Sequence, residues 1–398
     1  MADAALSGVR VLDISTVLAA PVTATLLGDF GADVVKVEEP GKGDFTRATS
    51  SGYGGRSLQW LQEGRNKRSI TLNLRSERGQ DILRRLIPHF DVVITNYRPP
   101  TLKKWGIDPE SMQKLHPQAV LLFVTGYGLT GPYSDRGAFD RIASAFSGLT
   151  YVSGEPERNP VRSGYAVIDF MAAYMAAYAV LTALYHRDVN GGTGQVIDLA
   201  LYEAGFRASE DALLAYSVDG SVRERLGNRN PSIVPASDFD TADRRRVSLH
   251  AGTDTLFRRL CAAMGTPDLA TDRRFQSQMA RVEHQDDLYA IIANWVSRFK
   301  ADEVVELLTH HDIPASPIMS IADIAANAHY RERGTIVDVF DEEHGTVTMA
   351  APLPHLNVTP GSIRTLGPPL GHSTDEILSN VLDYGQQELD ELRIAGII

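Results

Sequence analysis

Residues Val9–Glu38 read VRVLDISTVLAAPVTATLLGDFGADVVKVE. VRVLDIS (Val9–Ser15) is a short β-rich run, PVTATLLGDF (Pro21–Phe30) has helical spacing, and ADVVKVE (Ala32–Glu38) is a second β-rich run. The pattern then repeats. Gly41–Ser57 is a Gly/Ser/Thr-rich loop, Ser69–Leu74 a strand, and Ser76–Phe90 a helix with Leu83, Leu86, Ile87 and Phe90 on one face. Asp91–Asn96 (DVVITN) and Ala119–Thr125 (AVLLFVT) are apolar with little alternation. Such runs suit strands of a parallel sheet covered on both faces. Strand and helix alternating in this way predict an α/β fold with a doubly wound sheet over residues 1–150.

Further on, Phe170–Tyr185 is apolar and helical, and Gly191–Gly194 is a turn. Gln195–Leu199 is another strand and Leu201–Tyr216 a helix. From 217 to 245 the texture becomes polar and Arg-rich, which reads as a linker leaving a large first domain, residues 1–216. A strand at Val247–Leu249 and helices near Asp254–Met264, Val282–Phe299 and Ala301–His310 predict a small α+β domain over 246–325. Residues 326–398 return, with short strands near Val337–Phe340 and Thr346–Ala350. A capping box at Ser373 and Glu376 then opens a last helix.

The chain has 398 residues, 43% of them hydrophobic and 22% charged, and a net charge of −11. That length asks for more than one core. An acidic chain without a long basic block is a poor partner for nucleic acid or an anionic membrane. Phe170–Tyr185 is too short and too alanine-rich to read as a membrane span. The single cysteine, Cys261, makes no intrachain disulfide, which fits a reducing cytoplasm, and it reads as a buried apolar thiol. The start, MADAALSGVRVLD, lacks the basic and apolar regions of a secretory signal.

Candidate chemistry is sparse. Asp169 stands ahead of the long apolar helix, with Phe170, Ala173, Ala177 and Leu181 on one stripe. An Asp there is a helix cap, held ionised by the helix end, or a nucleophile; the residues alone leave both readings open. GYGLTG (Gly126–Gly131) has GxGxxG spacing, but PYSDRG follows it instead of a helix, which argues against a dinucleotide site. Arg65, Lys67, Arg68, Arg75, Arg98, Lys103 and Lys104 fall near strand ends, where an anionic ligand of an open sheet would bind. The histidines are scattered and there is no HExxH or CxxC, so no metal is expected. There is no GxSxG elbow either.

Several blocks together resemble the class III CoA-transferases, the formyl-CoA and carnitine CoA-transferase family. They are GVRVLDISTVLAAPVTATLLGDFGADVVKVEEPGKGD, RNKRSITLNL, DVVITNYRPPTLKKWGI, VTGYGLTGPYSDRGAFD, GQVIDLALYEA and LGPPLGHSTDEIL, spread almost end to end. The resemblance implies that Asp169 is the catalytic nucleophile, passing CoA from an acyl-CoA donor to a carboxylic acid through an aspartyl anhydride and an aspartyl-CoA thioester. These are acyl carriers of comparable energy, so the reaction calls for no metal and no tightly bound cofactor beyond coenzyme A or acyl-CoA as substrate. It further implies that Val17, Leu18 and Ala19 line the CoA site and that Leu72, Asn73, Leu74 and Arg75 contact CoA. Asn96, Tyr97, Arg98 and Lys104 would surround the nucleotide, and Gly137, Ala138, Phe139 and Asp140 would cover the pantetheine arm.

Two positions depart from the formyl-CoA enzymes: Leu18 stands for a Gln near the substrate, and Glu39 for an Arg near the adenosine phosphates. Both weigh against oxalate or formate. The related α-methylacyl-CoA racemases carry a His in the Gly137–Asp140 segment; here Phe139 removes one of the two acid/base groups racemisation needs. A non-catalytic CoA-binding partner subunit is the third reading, opposed by Asp169. The blocks TVLAAPVTATLLGDFGADVVKVE, FDRIASAFSGLTYVSG and ELRIAGII look most like enzymes using succinyl-CoA with malate or benzylsuccinate. Some of these are built from two homologous chains. The implied architecture is a Rossmann-like large domain from N- and C-terminal parts plus the small domain. Two chains would thread into an interlocked homodimer, with each active site between the large domain of one and the small domain of the other.

Overall fold

The structure, a computed structural model, describes residues 4–49, 52–53 and 55–398. Six strands form the central sheet: β1 (Arg10–Asp13), β2 (Asp33–Glu38), β3 (Lys67–Thr71), β4 (Val92–Thr95), β5 (Val120–Thr125) and β6 (Val196–Ala200). Their spatial order is β3-β2-β1-β4-β5-β6 and each pairing is parallel. Leu12 of β1 lies opposite both Val35 of β2 and Val93 of β4. Successive side chains point to opposite faces. Leu12, Val35, Ile70, Val93 and Leu121 therefore enter one core, and Val11, Val34, Val92, Val120 and Leu122 the other. Cover on both faces is why β4 (VVIT) and β5 (VLLFVT) read as nearly unbroken apolar runs.

Four helices place the site: α1 (Ala19–Asp29), α2 (Pro99–Trp105), α3 (Asp140–Phe146) and α4 (Val167–Asp188). α1 and α4 pack side by side through alanines, Ala20 and Ala24 on one and Ala172 and Ala176 on the other, all fully buried. Thr23 Oγ1 reaches the carbonyl of Ala173 at 3.4 Å. The buried face of α4 is Ile168, Asp169, Ala172, Ala173, Ala176, Val180, Ala183 and Leu184. The stripe read from the sequence is thus turned by about one residue, and Leu181 is exposed. Hydrophobicity misplaced the stripe because the smallest side chains, not the largest, allow the close helix contact. With 22 residues, α4 is also longer than the run that announced it, and it is long and apolar enough to cross a membrane by those measures alone.

The chain divides into two compact units. The first comprises residues up to Thr150, Arg162–Asp219 and His329–Ile398. Its C-terminal helices, Thr374–Leu382 and Gln386–Ile394, join the core that contains Leu12. The second comprises Tyr151–Val161 and Gly220–Ala328. It has an antiparallel sheet of Ala236–Asp240, Arg246–His250 and Ala315–Pro317, with a core around Phe257, Leu260 and Trp295. Its buried Arg281 is satisfied by the carbonyls of Val234, Gly252 and Phe275.

Three readings are corrected. Ala236–Asp240, taken for linker, is a paired strand. Leu201–Tyr216 is two helices, Leu201–Arg207 and Ala212–Asp219, separated near Glu210 at φ 54°. Ser373 makes no side-chain cap, and the Glu376 carboxylate is held by Arg68 at 3.0 Å, so the capping box does not form.

Candidate active site

Strand order reverses between β1 and β4, so the segments leaving their carboxyl ends diverge and open a crevice. A cavity of about 460 Å³ lies there, lined by Thr16, Val17, Leu18 and Ala19 after β1 and by Asn96, Tyr97 and Arg98 after β4. Gly126, Arg136, Gly137, Ala138, Phe139 and Asp169 are also in its wall. A smaller cavity of about 210 Å³, lined by Glu39, Leu72, Leu74, Arg75 and Trp105, shares Tyr97 and Thr101 with it. Most of the expected contact residues therefore come together along one edge of the sheet. Two do not. Lys104 is exposed on α2 and lines neither cavity. Asn73 is turned toward the C-terminus, its N–H bonding the Ile397 carbonyl at 2.7 Å and its Oδ1 accepting Arg75 N–H at 3.1 Å.

Asp169 is not the cap of α4. It is the third residue of the helix, and Ala166 occupies the cap position without a side-chain bond. The cap comes from another helix. Asp140, first residue of α3, accepts the N–H of Ile168 at 2.9 Å and that of Asp169 at 3.4 Å through one oxygen. The donors expected to keep Asp169 ionised are therefore spent on a second carboxylate. Burial, and then the charge of Asp140, push the Asp169 carboxyl up to about 7. Asp169 is 6% exposed and lines the larger cavity, and among the described residues no hydrogen bond engages its carboxylate. A buried carboxylate with both oxygens unengaged and a raised pKa is a competent nucleophile toward an acyl carbon once ionised.

The turn between β1 and α1 is tied down residue by residue. Ser15 accepts from Lys36 Nζ through its carbonyl and bonds Asp13 through its N–H and hydroxyl. Thr16 is paired with the Asn96 carboxamide, donating its N–H to Oδ1 at 2.9 Å and accepting Nδ2–H at 2.6 Å. Asn96 thus spends its amide on the turn. Val17 donates to Asp44 Oδ1 at 3.4 Å and sits at φ 72°. For a β-branched residue the left-handed region is an outlier costing roughly 1–2 kcal/mol. The first turn of α1 carries no side-chain cap. Lys67 Nζ, from β3, holds the Pro21 carbonyl at 2.6 Å and Asp13 at 3.0 Å. Burial opposes every charge in this cluster. Lys36 and Lys67 outweigh it at Asp13, whose carboxyl stays below its usual range. At Lys36, Asp13 and Asp44 outweigh it and hold the ammonium above its usual range.

The basic cluster separates accordingly. Lys67 is fully inside, Arg65 pairs with buried Asp29 at 2.6 Å, and Arg68 with Asp33 at 2.5 Å; none of them lines either of these two cavities. Arg98 and Arg136 line the larger cavity; Arg98 donates to the Asp135 carbonyl at 3.3 Å, and Arg136 lies 3.7 Å over the Tyr133 ring. Arg75 is exposed and pairs with Glu39 at 3.2 Å.

The GYGLTG segment follows β5 rather than β1. Its Gly126 packs against the Gly137–Ala138 loop, where an added Cβ would meet the Ala138 Cβ at 2.6 Å. Gly126 thus serves close backbone packing, while Gly128 and Gly131 take left-handed φ of 90° and 85° in the turn that follows. Asp341, Glu343 and His344 cluster as metal ligands do, but Arg56 occupies them, 3.1 Å from Asp341 and 2.9 Å from Glu343. Cys261 is buried and its thiol is pushed up to about 11, as an inert core cysteine should be. Sequence reasoning missed Thr16, Arg136 and the buried cluster of Asp13, Lys36 and Asp44. The last had a signal: Lys36 interrupts the valine run Val34–Val37 of a strand covered on both faces.

The model of CoA-transferase family III matches residues 6–374. The beta subunit of a succinyl-CoA–L-malate CoA-transferase from Chloroflexus aurantiacus is 43% identical over 397 residues, covering 99% of this chain and 98% of that protein. A succinyl-CoA–D-citramalate CoA-transferase from the same organism is 39% identical over 394 residues, covering 99% and 98%. The crystal structure of a CAIB/BAIF family protein from Brucella suis superposes with a TM-score of 0.84 at 30% identity, covering 95% of this chain and 100% of that one.

Proposed function

Because the chain belongs to CoA-transferase family III, we propose that it moves CoA from an acyl-CoA donor, succinyl-CoA, to a small carboxylic or dicarboxylic acid, with Asp169 as the nucleophile. The observation that carries this reading is the Asp169 carboxylate, buried and unengaged in the cavity at the switch point of the sheet. An Asp169 oxygen attacks the thioester carbonyl, the C–S bond breaks, and CoA thiolate leaves a succinyl–aspartyl anhydride. The thiolate attacks the aspartyl carbonyl and releases succinate, leaving an aspartyl-CoA thioester. The acceptor carboxylate displaces the thiolate to form a second anhydride. The thiolate then takes the acceptor's acyl group and frees the Asp169 carboxylate. Arg98 and Arg136 are the cations in this cavity for an anionic acceptor.

The donor and the acceptor class follow relatives whose names specify succinyl-CoA with L-malate or D-citramalate. Phe139 on the cavity wall supplies no second acid/base group, which favours transfer over racemisation. Dimerisation belongs to the same reading, as a homodimer of interlocked chains or a pair with a homologous chain. Its support is the outer face of α4, where Tyr174, Tyr178, Leu181 and Tyr185 stand exposed at helical spacing. Light scattering of the purified chain tests it.

The test of the chemistry is trapping. The protein is incubated with succinyl-CoA, quenched with hydroxylamine or borohydride, and the modified peptide mapped. Label on Asp169, lost in Asp169→Ala, is expected; an unlabelled Asp169 sinks the reading. A panel of dicarboxylic acids against succinyl-CoA then identifies the acceptor.

A further inference from the structure

Val17 is the strained residue of the cavity wall. Its φ of 72° is a conformation that glycine adopts freely and a β-branched residue resists. Such a residue persists only where its surroundings over-determine it. On one side the Asn96 carboxamide fixes Thr16 at two points. On the other, the Val17 N–H meets Asp44 Oδ1 at 3.4 Å.

Asp44 is itself immobilised. The same Oδ1 accepts the Thr46 N–H at 2.9 Å and the Thr46 hydroxyl at 2.7 Å. Its Oδ2 lies 3.2 Å from Lys36 Nζ, a charge contact without a directed hydrogen bond. Its own N–H donates to Glu38 Oε2 at 2.8 Å. Glu38, at the end of β2, is held by Arg47 at 2.7 and 2.8 Å and by the Ser69 hydroxyl of β3 at 2.6 Å. The acceptor facing Val17 is thus anchored through buried charges to two strands of the sheet.

We infer that Asp44 is a positioning residue of the cavity: it holds Val17 in the left-handed conformation that aims the Thr16–Ala19 turn and the uncapped start of α1 into the space containing Asp169. Without Asp44, Val17 relaxes to negative φ, and the peptide groups on either side of it rotate. The wall then no longer presents Leu18 and Ala19 to the cavity as they stand here. A glycine in place of Val17 would adopt the same conformation without strain, so the turn would depend less on Asp44.

The experiment is a double-mutant cycle on Asp44→Ala and Val17→Gly in the full chain. Turnover of succinyl-CoA, the KM for succinyl-CoA and the thermal midpoint are read for each variant. With Val17 present, Asp44→Ala should lower kcat at least about 10-fold with little change in KM. In the Val17→Gly background the same substitution should cost less than about 3-fold. Equal losses in both backgrounds would mean that Asp44 acts by general support of the fold, and overturn the assignment. If Asp44→Ala folds only in combination with Val17→Gly, the assignment is supported. If Asp44→Ala folds in neither background, Asp44→Asn decides. It keeps the Oδ1 acceptor and should lose less than about 3-fold in both, whereas a 10-fold loss in both would place the role in the charge and overturn the proposal. The inference rests on the transferase reading for its assay. Wild-type turnover tests that reading alone, and the ratio of losses tests this one.

Discussion

Asp140 takes, through one carboxylate oxygen, the backbone N–H of Asp169 at 3.4 Å and that of Ile168 at 2.9 Å. One aspartate therefore occupies the helix end on which the other sits. The usual expectation for an acid in the first helical turn, stabilisation of its charge, is reversed. Asp140 removes the donors and adds a like charge, while burial removes water. The resting nucleophile is poised between protonated and ionised forms near neutral pH.

The pH profile should show this. The attacking form is the ionised one, so kcat/KM for succinyl-CoA should rise with pH through about 7 and then level, since the Asp169 carboxyl is pushed up to about 7. Asp140→Asn keeps an oxygen for the Ile168 N–H and removes the neighbouring charge. The acid limb should then move to lower pH. Steady-state rates between pH 5 and 9 check it, and a limb that stays in place in the variant removes Asp140 as a cause.

Stability should carry the opposite signature. Between the ordinary carboxyl value of 3.8 and about 7, the unfolded chain releases a proton that the folded chain keeps. Stability from this group therefore falls as pH rises across that window and is level above it. Asp169→Asn has no such cost. It should be more stable than the parent at pH 8, by at most about 4 kcal/mol, and the difference should shrink toward pH 4. Denaturant midpoints at the two pH values measure it, and equal midpoints at pH 8 would contradict the raised carboxyl.

Glu39 and Arg75 share the smaller cavity, 3.2 Å apart. A cation paired with a carboxylate there is less available to a phosphate. Glu39→Gln should therefore lower the KM for succinyl-CoA about 3-fold, and Arg75→Ala should raise it about 10-fold, with kcat unchanged in both. Both groups reach solvent, so the effects should shrink with added salt. Repeating the kinetics with the 3′-dephospho substrate locates the contact. If Arg75→Ala lowers KM, or leaves it unchanged, Arg75 does not hold the nucleotide.

How much of this was legible in the sequence depended on whether local pattern or long-range partnership decided the outcome. β4 and β5 were visible because strands covered on both faces are nearly all apolar, and β1 and β2 because short valine- and leucine-rich runs survive around their buried charges. The position of Asp169 between signature blocks was visible too. Its state was not, because the residue that sets it, Asp140, comes from another helix across a loop. Asn96 was legible as a residue of the site, but its use on Thr16 was not, since a carboxamide announces no partner. The alanine face of α4 misled because periodicity weights large side chains. The basic cluster misled because sequence distance from a strand end does not say which Arg or Lys is already taken by Asp13, Asp29 or Asp33.

Gly126 supplies the last test. It follows β5 and lines the larger cavity opposite the Gly137–Ala138 loop. A Cβ added there would lie 2.6 Å from the Ala138 Cβ and 3.0 Å from the Ala138 backbone nitrogen. Neither atom can rotate away, so the loop must shift, and Phe139 and Asp140 follow it directly in the chain. Gly126→Ala should cost about 1–3 kcal/mol of stability, as overpacking does. It should lower kcat by more than 10-fold, because misplacing the loop by about 1 Å disturbs the cap on the helix carrying Asp169. Ala138→Gly removes the closer of the two contacts and should recover part of both losses. Parallel measurement of kcat and the unfolding midpoint in the single and double variants is decisive. Full activity in Gly126→Ala would show that the loop yields without moving Asp140.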